Sequence, residues 1–271
     1  MKFLMVNPAY YCVDYVINFW MDPVRNLVDA DEALDQWMEL HDSLSSRAEV
    51  TTIPGMDGLP DMVFAANAGF VLNSVATVSR FTHNERGGEE VIFDDWFAGA
   101  GFNPRRSRIL FEGAGDALYD EHRKMVWGGH GFRSDPLYGA TIEQRYDVSC
   151  VMLKLVDPRF YHLDTCFCPL ASGHVMYYAA AFDPVSLAII HSIVEPTKRI
   201  EVYEFEARMF CCNGIEVGKV YLSSGTSHSL KRRLRDVGYD AMDLPLGEYL
   251  KSGGGAKCLA LRLDCQTGAK E

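Results

Sequence analysis

The sequence predicts an α/β fold, and three observations predict it. Short apolar and β-branched runs alternate with amphipathic stretches along the whole chain. Hydrophobic residues make up 48% of the 271 residues, enough to supply a sizeable core between layers. No Pro/Ser-rich linker, low-complexity tract or charge block divides the chain, so residues 1–271 are expected to form a single domain.

The opening Met1-Lys2-Phe3-Leu4-Met5-Val6 reads as a buried strand ended by Asn7-Pro8. Residues 31–46 place Leu34, Trp37, Met38, His41 and Leu44 on one helical face behind an acidic first turn. The segment from Val63 to Val78 reads as two strands joined at Asn73-Ser74, followed by a helix over Glu89–Ala98 with Val91, Ile92, Phe93, Trp96 and Phe97 on its apolar side. Short strands are expected at Arg108–Phe111, Lys124–Trp127, Cys150–Val156 and His174–Ala180. Pro184–Val194 looks like a helix opened by proline, Lys219–Ser223 like a strand, and Ser227–Val237 like a helix closed by Gly238. Ala256–Leu263 is the last predicted strand. No strict sequence period is visible, so any internal symmetry has to be structural.

The formal net charge of −11 disfavours nucleic acid and anionic membranes as partners, whereas a small cationic substrate suits it. The N-terminal apolar run is too short for a signal peptide, and no run of about 18 apolar residues occurs to span a membrane. With eight cysteines and no secretory signal, reduced thiols in the cytoplasm are the expectation. A homo-oligomer is compatible with all of this.

Neither a Walker loop nor a dinucleotide glycine fingerprint is present. Cys166 and Cys168, with His162 nearby, lack the second ligand pair of a zinc site, so no metal is expected and buried, inert thiols are the plainer reading. Four segments could do chemistry. If Tyr161-His162-Leu163-Asp164-Thr165 is extended, His162 and Asp164 share a face about 7 Å apart, although a core histidine satisfied by a local carboxylate is the plainer reading of these residues alone. In Phe111-Glu112-Gly113-Ala114-Gly115-Asp116 the glycines let the backbone turn and bring both carboxylates to one cavity. Asn67 sits among small apolar residues and has to be hydrogen-bonded if buried. The run Gly253-Gly254-Gly255 delivers Cys258, a strong nucleophile wherever its thiolate is populated, at the start of the terminal strand.

Taken together and in order, these segments resemble the guanidine-modifying superfamily of deiminases, dimethylarginine dimethylaminohydrolases, amidinotransferases and arginine dihydrolases. The resemblance runs almost the whole chain, through Met5-Val6-Asn7-Pro8, Phe64 to Gly69, Glu85-Arg86-Gly87-Gly88-Glu89-Glu90, Phe111 to Asp116, His162-Leu163-Asp164-Thr165 and Gly254 to Leu261. It implies a five-bladed pseudo-symmetric α/β propeller with the active site in a central channel. It also implies Cys258 as nucleophile, His162 as general acid and base, and Glu112 and Asp164 as the carboxylates that grip the guanidinium. Arg86 and Arg133 match positions facing the substrate's α-carboxylate, and Asp116 a supporting role. The expected substrate is arginine or a related guanidino compound, and no cofactor is implied.

This chemistry suits the residues. A guanidinium carbon is a poor electrophile, so bidentate carboxylates must fix its plane for thiolate attack while a histidine protonates the departing nitrogen. Deiminases usually carry aspartate where Asn67 stands, and in this the chain looks like the arginine dihydrolases, which release ornithine, ammonia and carbon dioxide. Single hydrolysis to citrulline, amidinotransfer, and a non-catalytic propeller such as a ribosome-binding factor are the rival readings.

Overall fold

A computed structural model describes residues 1–268 of the chain. Its strands form five sheets of three strands each, all with the same internal order. In the first sequential unit β1 (Lys2–Val6) runs through helix α1 (Ala30–Ser45) into a parallel β2 (Glu49–Ile53). The next unit is the hairpin β3 (Gly69–Leu72) and β4 (Val75–Val78), helix α2 (Glu89–Gly99), and β5 (Asn103–Arg106) parallel to β4. The order recurs in β6 (Ala117–Asp120), β7 (Met125–His130), α3 (Tyr138–Tyr146) and β8 (Cys150–Lys154). It recurs again in β9 (Phe167–Pro169), β10 (Val175–Tyr177), α4 (Pro184–Ile193) and β11 (Arg199–Glu201). After the one-turn helix α5 (Glu204–Ala207) come β12 (Ile215–Val217), β13 (Val220–Ser223), α6 (His228–Asp236) and β14 (Asp240–Asp243).

The short α7 (Gly247–Leu250) leads to β15 (Ala260–Arg262), which pairs antiparallel with β1 and supplies the missing hairpin partner of the first unit. Leu4 and Leu261 face each other across that closure, both fully buried. The repetition that the sequence hides is therefore present in the structure, five times.

Local chemistry accounts for the boundaries. Asp29 caps α1 by accepting from the Asp31 and Glu32 amides, Asp183 caps α4 ahead of Pro184, and Ser227 caps α6. Gly238, at φ 100°, ends the last turn. Asn73 and Ser74 both take positive φ, the geometry of a tight hairpin whose twist matches its strands.

Three expectations are corrected. On α1 the period is right but the phase is rotated: Leu34 and Met38 are exposed, while Ala33, Leu40 and Leu44 join Trp37 in the core. Of the apolar side expected on α2 only Phe93 and Phe97 are buried, and Val91 is half exposed. The strand expected over Arg108–Phe111 lies at β5 instead, and Phe111 keeps a single bridge to Arg80. Among the described residues no helix is long and apolar enough to cross a membrane.

Candidate active site

A tight turn precedes the first strand of each hairpin, and these turns carry the polar residues. Asn67 lies in the turn Ala65–Ala68 before β3. Glu112 and Asp116 flank the turn Gly113–Gly115 before β6. His162 opens the turn Leu163–Thr165 before β9, with Asp164 inside it. Asn213 and Cys258 each stand two residues ahead of β12 and β15. Five units with one local design thus bring residues about 190 positions apart to one place. Two glycines are required for this. Gly113, at φ 61°, leaves no room for a Cβ beside the Ala66 carbonyl, and a Cβ on Gly115 would lie 2.5 Å from the Asn67 amide nitrogen and 3.2 Å from the His162 ring.

His162 is held between two carboxylates. Its Nδ1 lies 3.1 Å from Asp116 Oδ2 and its Nε2 lies 3.2 Å from Glu112 Oε2. Asp116 is fixed in turn by Ser134 Oγ at 2.6 Å and the Leu163 amide at 3.1 Å. Glu112 also accepts from Arg133 Nη1 at 2.9 Å and from the Thr82 amide at 3.1 Å. Cys258 Sγ lies 3.6 Å from Asp164 Oδ2 and accepts from Asn213 Nδ2 at 3.1 Å. Asn67 accepts from Arg86 Nη1 at 2.9 Å, which turns its amide nitrogen toward the Glu112 carbonyl at 3.2 Å and His162 Nε2 at 3.5 Å. Cys258, Asn67, Arg86, Arg133, Tyr161 and Asp61 line a small cavity, with Glu112, His162 and Asp164 buried behind them. A larger cavity lies along the first strands of the five hairpins, bounded by Leu118, Pro169, Ile215, Leu261 and Lys257 and by none of Cys258, His162, Glu112 or Asp164.

Comparison with known proteins bears on what this arrangement is. No family model matches the chain. The bifunctional arginine dihydrolase/ornithine cyclodeaminase AgrE of Nostoc is 44% identical over 264 residues, which cover 97% of this chain and 38% of that protein. The N(G),N(G)-dimethylarginine dimethylaminohydrolase of Mycobacterium tuberculosis is 35% identical over 263 residues, which cover 97% of this chain and 85% of that enzyme. The chain belongs to the guanidine-modifying superfamily. Among solved structures of the superfamily, the N-terminal domain of the cyanobacterial arginine dihydrolase ArgZ superposes with a TM-score of 0.96 at 42% identity, covering 98% of this chain and 99% of that domain. That structure is a cysteine-to-serine variant bound to substrate, and an asparagine-to-serine variant of the same domain is covalently bound to a reaction intermediate. This chain spans about two fifths of the length of the bifunctional relatives it matches.

Within this superfamily member the resting charges follow from burial and neighbours. Burial alone would lower the His162 pKa, but Asp116 and Glu112 outweigh it and raise it to about 9. Burial would raise the Glu112 carboxyl, yet Arg133, His162 and Arg86 hold it well below the ordinary carboxylate range. Burial, and then the Asp164 carboxylate, push the Cys258 thiol far above its usual range, against Lys257 and Asn213. Burial likewise raises Asp164, partly offset by Lys257. The resting site therefore holds an imidazolium, a carboxylate and a neutral thiol. A cation beside Asp164 and Glu112 would cancel the charge that disfavours the thiolate.

The structure changes several expectations. Asp164 and His162 do not share a strand face, because the backbone turns at Leu163, and Asp164 contacts Cys258 instead. Cys258 lies in the turn before the strand, not in it. Arg86 and Arg133 do line the cavity, but both guanidinia are already engaged. Arg86 is gripped by Glu89 through two bonds of 2.8 Å and by the Asp61 carbonyl, and Arg133 spans Glu112 and the Ile17 carbonyl. Cys166 and Cys168 are buried beside the Leu163 carbonyl and the Tyr221 hydroxyl, and among the described residues no group of three or more His, Cys, Asp or Glu side chains is placed to hold a metal ion. Asn213, Lys257 and Glu89 were not anticipated. The signal for Asn213 was its Asn-Gly-Ile context before β12, which parallels Asn67 before β3.

Proposed function

We propose that this chain hydrolyses the guanidino group of arginine through a thiouronium on Cys258, and does so twice, consuming two waters and giving ornithine, two ammonia and carbon dioxide. The observation that carries this is the convergence of Cys258, His162, Glu112 and Asp164 around one small cavity with an asparagine, Asn67, beside the histidine. Glu112 and Asp164 hold the guanidinium plane, and the pairing neutralises the charge facing the sulfur. As the cation binds, the Cys258 thiol loses its proton to solvent; the thiolate then adds to the guanidino carbon, and His162, protonated at rest, gives its proton to the nitrogen that leaves as ammonia. The imidazole, now neutral and held by Asp116 at Nδ1, takes a proton from water at Nε2 as that water attacks the thiouronium. Asn67 suits this step. Its amide N–H can bond a neutral Nε2 and cannot bond an imidazolium. Collapse of the hydrated adduct breaks the C–S bond and frees the ureido product, which then undergoes a second thiolate addition with loss of ammonia; a second water cleaves the resulting carbamoyl–sulfur bond, and the carbamate so formed releases carbon dioxide and ornithine.

Dihydrolase activity in the matched domain of ArgZ, and its covalent intermediate, support this reading. Hydrolysis of a methylated arginine to citrulline is the second reading, supported by the relative matched over 85% of its own length. The test is Cys258→Ser. Arginine binding by calorimetry should persist while turnover falls at least about a thousandfold. Native-like turnover in this variant would remove Cys258 as nucleophile.

We also infer that the five sheets are the blades of one pseudo-symmetric propeller, with residues 1–271 acting as a single catalytic domain in the cytoplasm. The fivefold repeated unit, the β15–β1 closure and the free thiols support it.

A further inference from the structure

Asn213 is fully buried, and its surroundings fix which end of its amide is which. Oδ1 accepts from the Gly255 amide at 3.0 Å and the Cys258 amide at 3.1 Å, two donors that an NH2 group cannot satisfy. Nδ2 therefore faces Cys258 Sγ at 3.1 Å and also donates to the Asp164 carbonyl at 3.2 Å. The Asn213 carbonyl accepts from the Lys257 amide at 3.1 Å. One side chain thus pins the turn that carries the sulfur and touches the sulfur itself.

The other neighbour of the sulfur acts in the opposite sense. The Asp164 carboxylate, 3.6 Å away, accepts the thiol proton and repels the thiolate. Among the described residues, Asn213 is the side chain whose hydrogen bond to Sγ survives deprotonation and strengthens with the charge, with the Gly255 amide acting in the same sense from the backbone. We propose that Asn213 is the positioning residue of the nucleophile: it aims Cys258 at the guanidino carbon and stabilises the thiolate that attacks. This rests on Cys258 being the nucleophile.

Asn213→Asp separates the two roles, since it keeps an acceptor toward the Gly255 and Cys258 amides and removes the donor at the sulfur. The resting protein is alkylated with iodoacetamide from about pH 7 to about pH 10, and the Cys258 peptide is followed by mass spectrometry, with the exposed Cys12 as internal reference. The alkylation rate at Cys258 should fall about ten- to a hundredfold at each pH, with Cys12 unchanged, and kcat on arginine should fall by a similar factor while KM moves less than about threefold. If the Asp variant does not fold, Asn213→Ser, neutral and smaller, is read in the same way. Native alkylation and native kcat in the folded variant would overturn the inference. Alkylation uses no substrate, so it is read independently of turnover. Turnover surviving in Cys258→Ser sinks the proposed mechanism, whereas a dead Cys258→Ser beside a native-like Asn213→Asp sinks only the role of Asn213.

Discussion

His162 illustrates how much a single side chain owes to its neighbours. Its pKa, raised from 6.5 to about 9, means that the native state binds a proton the unfolded chain has already lost between those values. The stabilisation is fully present below pH 6.5 and is lost as pH rises through 9. Urea titrations should show the unfolding free energy falling by about 3 kcal/mol across that window, and His162→Gln should flatten the fall. An unchanged slope would mean that Asp116 and Glu112 do not hold the imidazolium. Asn67→Asp adds a carboxylate beside the same ring. The general-base step should move to higher pH, with citrulline accumulating, and an unchanged ornithine yield would remove Asn67 from the second round. At this scale the sequence was legible where a residue type is chemically loud: Cys258, His162, Glu112 and Asp164 all reach the site. It was silent on who touches whom. Arg86 and Arg133, expected to face a substrate carboxylate, line the cavity, and each is also paired within the protein because burying an unpaired guanidinium costs too much.

The turns before β3, β6, β9, β12 and β15 are the elements that make the site. Gly115 shows how little slack they have. In Gly115→Ala the new methyl meets the Asn67 amide and the His162 ring, so kcat should drop at least about tenfold, with a stability loss of about 1–3 kcal/mol by urea titration. Native turnover in that variant would mean that the turn relaxes without disturbing the histidine. Caps, the Asn73-Ser74 hairpin and most helices were readable because their signals are local. The glycines around Ala114 announced the turn before β6, whereas the turns before β3 and β15 were read as parts of strands, since a chain bending to present a side chain to a distant cavity has no period of its own.

On the scale of the whole molecule, closure is the feature the sequence could not reveal, because β1 and β15 are separated by the entire chain. Leu261→Ala removes buried volume at that junction, facing Leu4 and three residues from Cys258. It should cost about 2–5 kcal/mol in urea and lower kcat as well, since the sulfur's turn ends where β15 begins. A loss of stability with kcat intact would uncouple closure from the site. Fivefold repetition was hidden for a related reason: each unit keeps the backbone order and a polar turn, but fills them with different residues. The most direct test of the central claim is the product ratio when the purified chain is given arginine. Roughly two ammonia per ornithine, with no citrulline, is the expected result. Citrulline as the end product with one ammonia would contradict it and make the chain a single-step hydrolase.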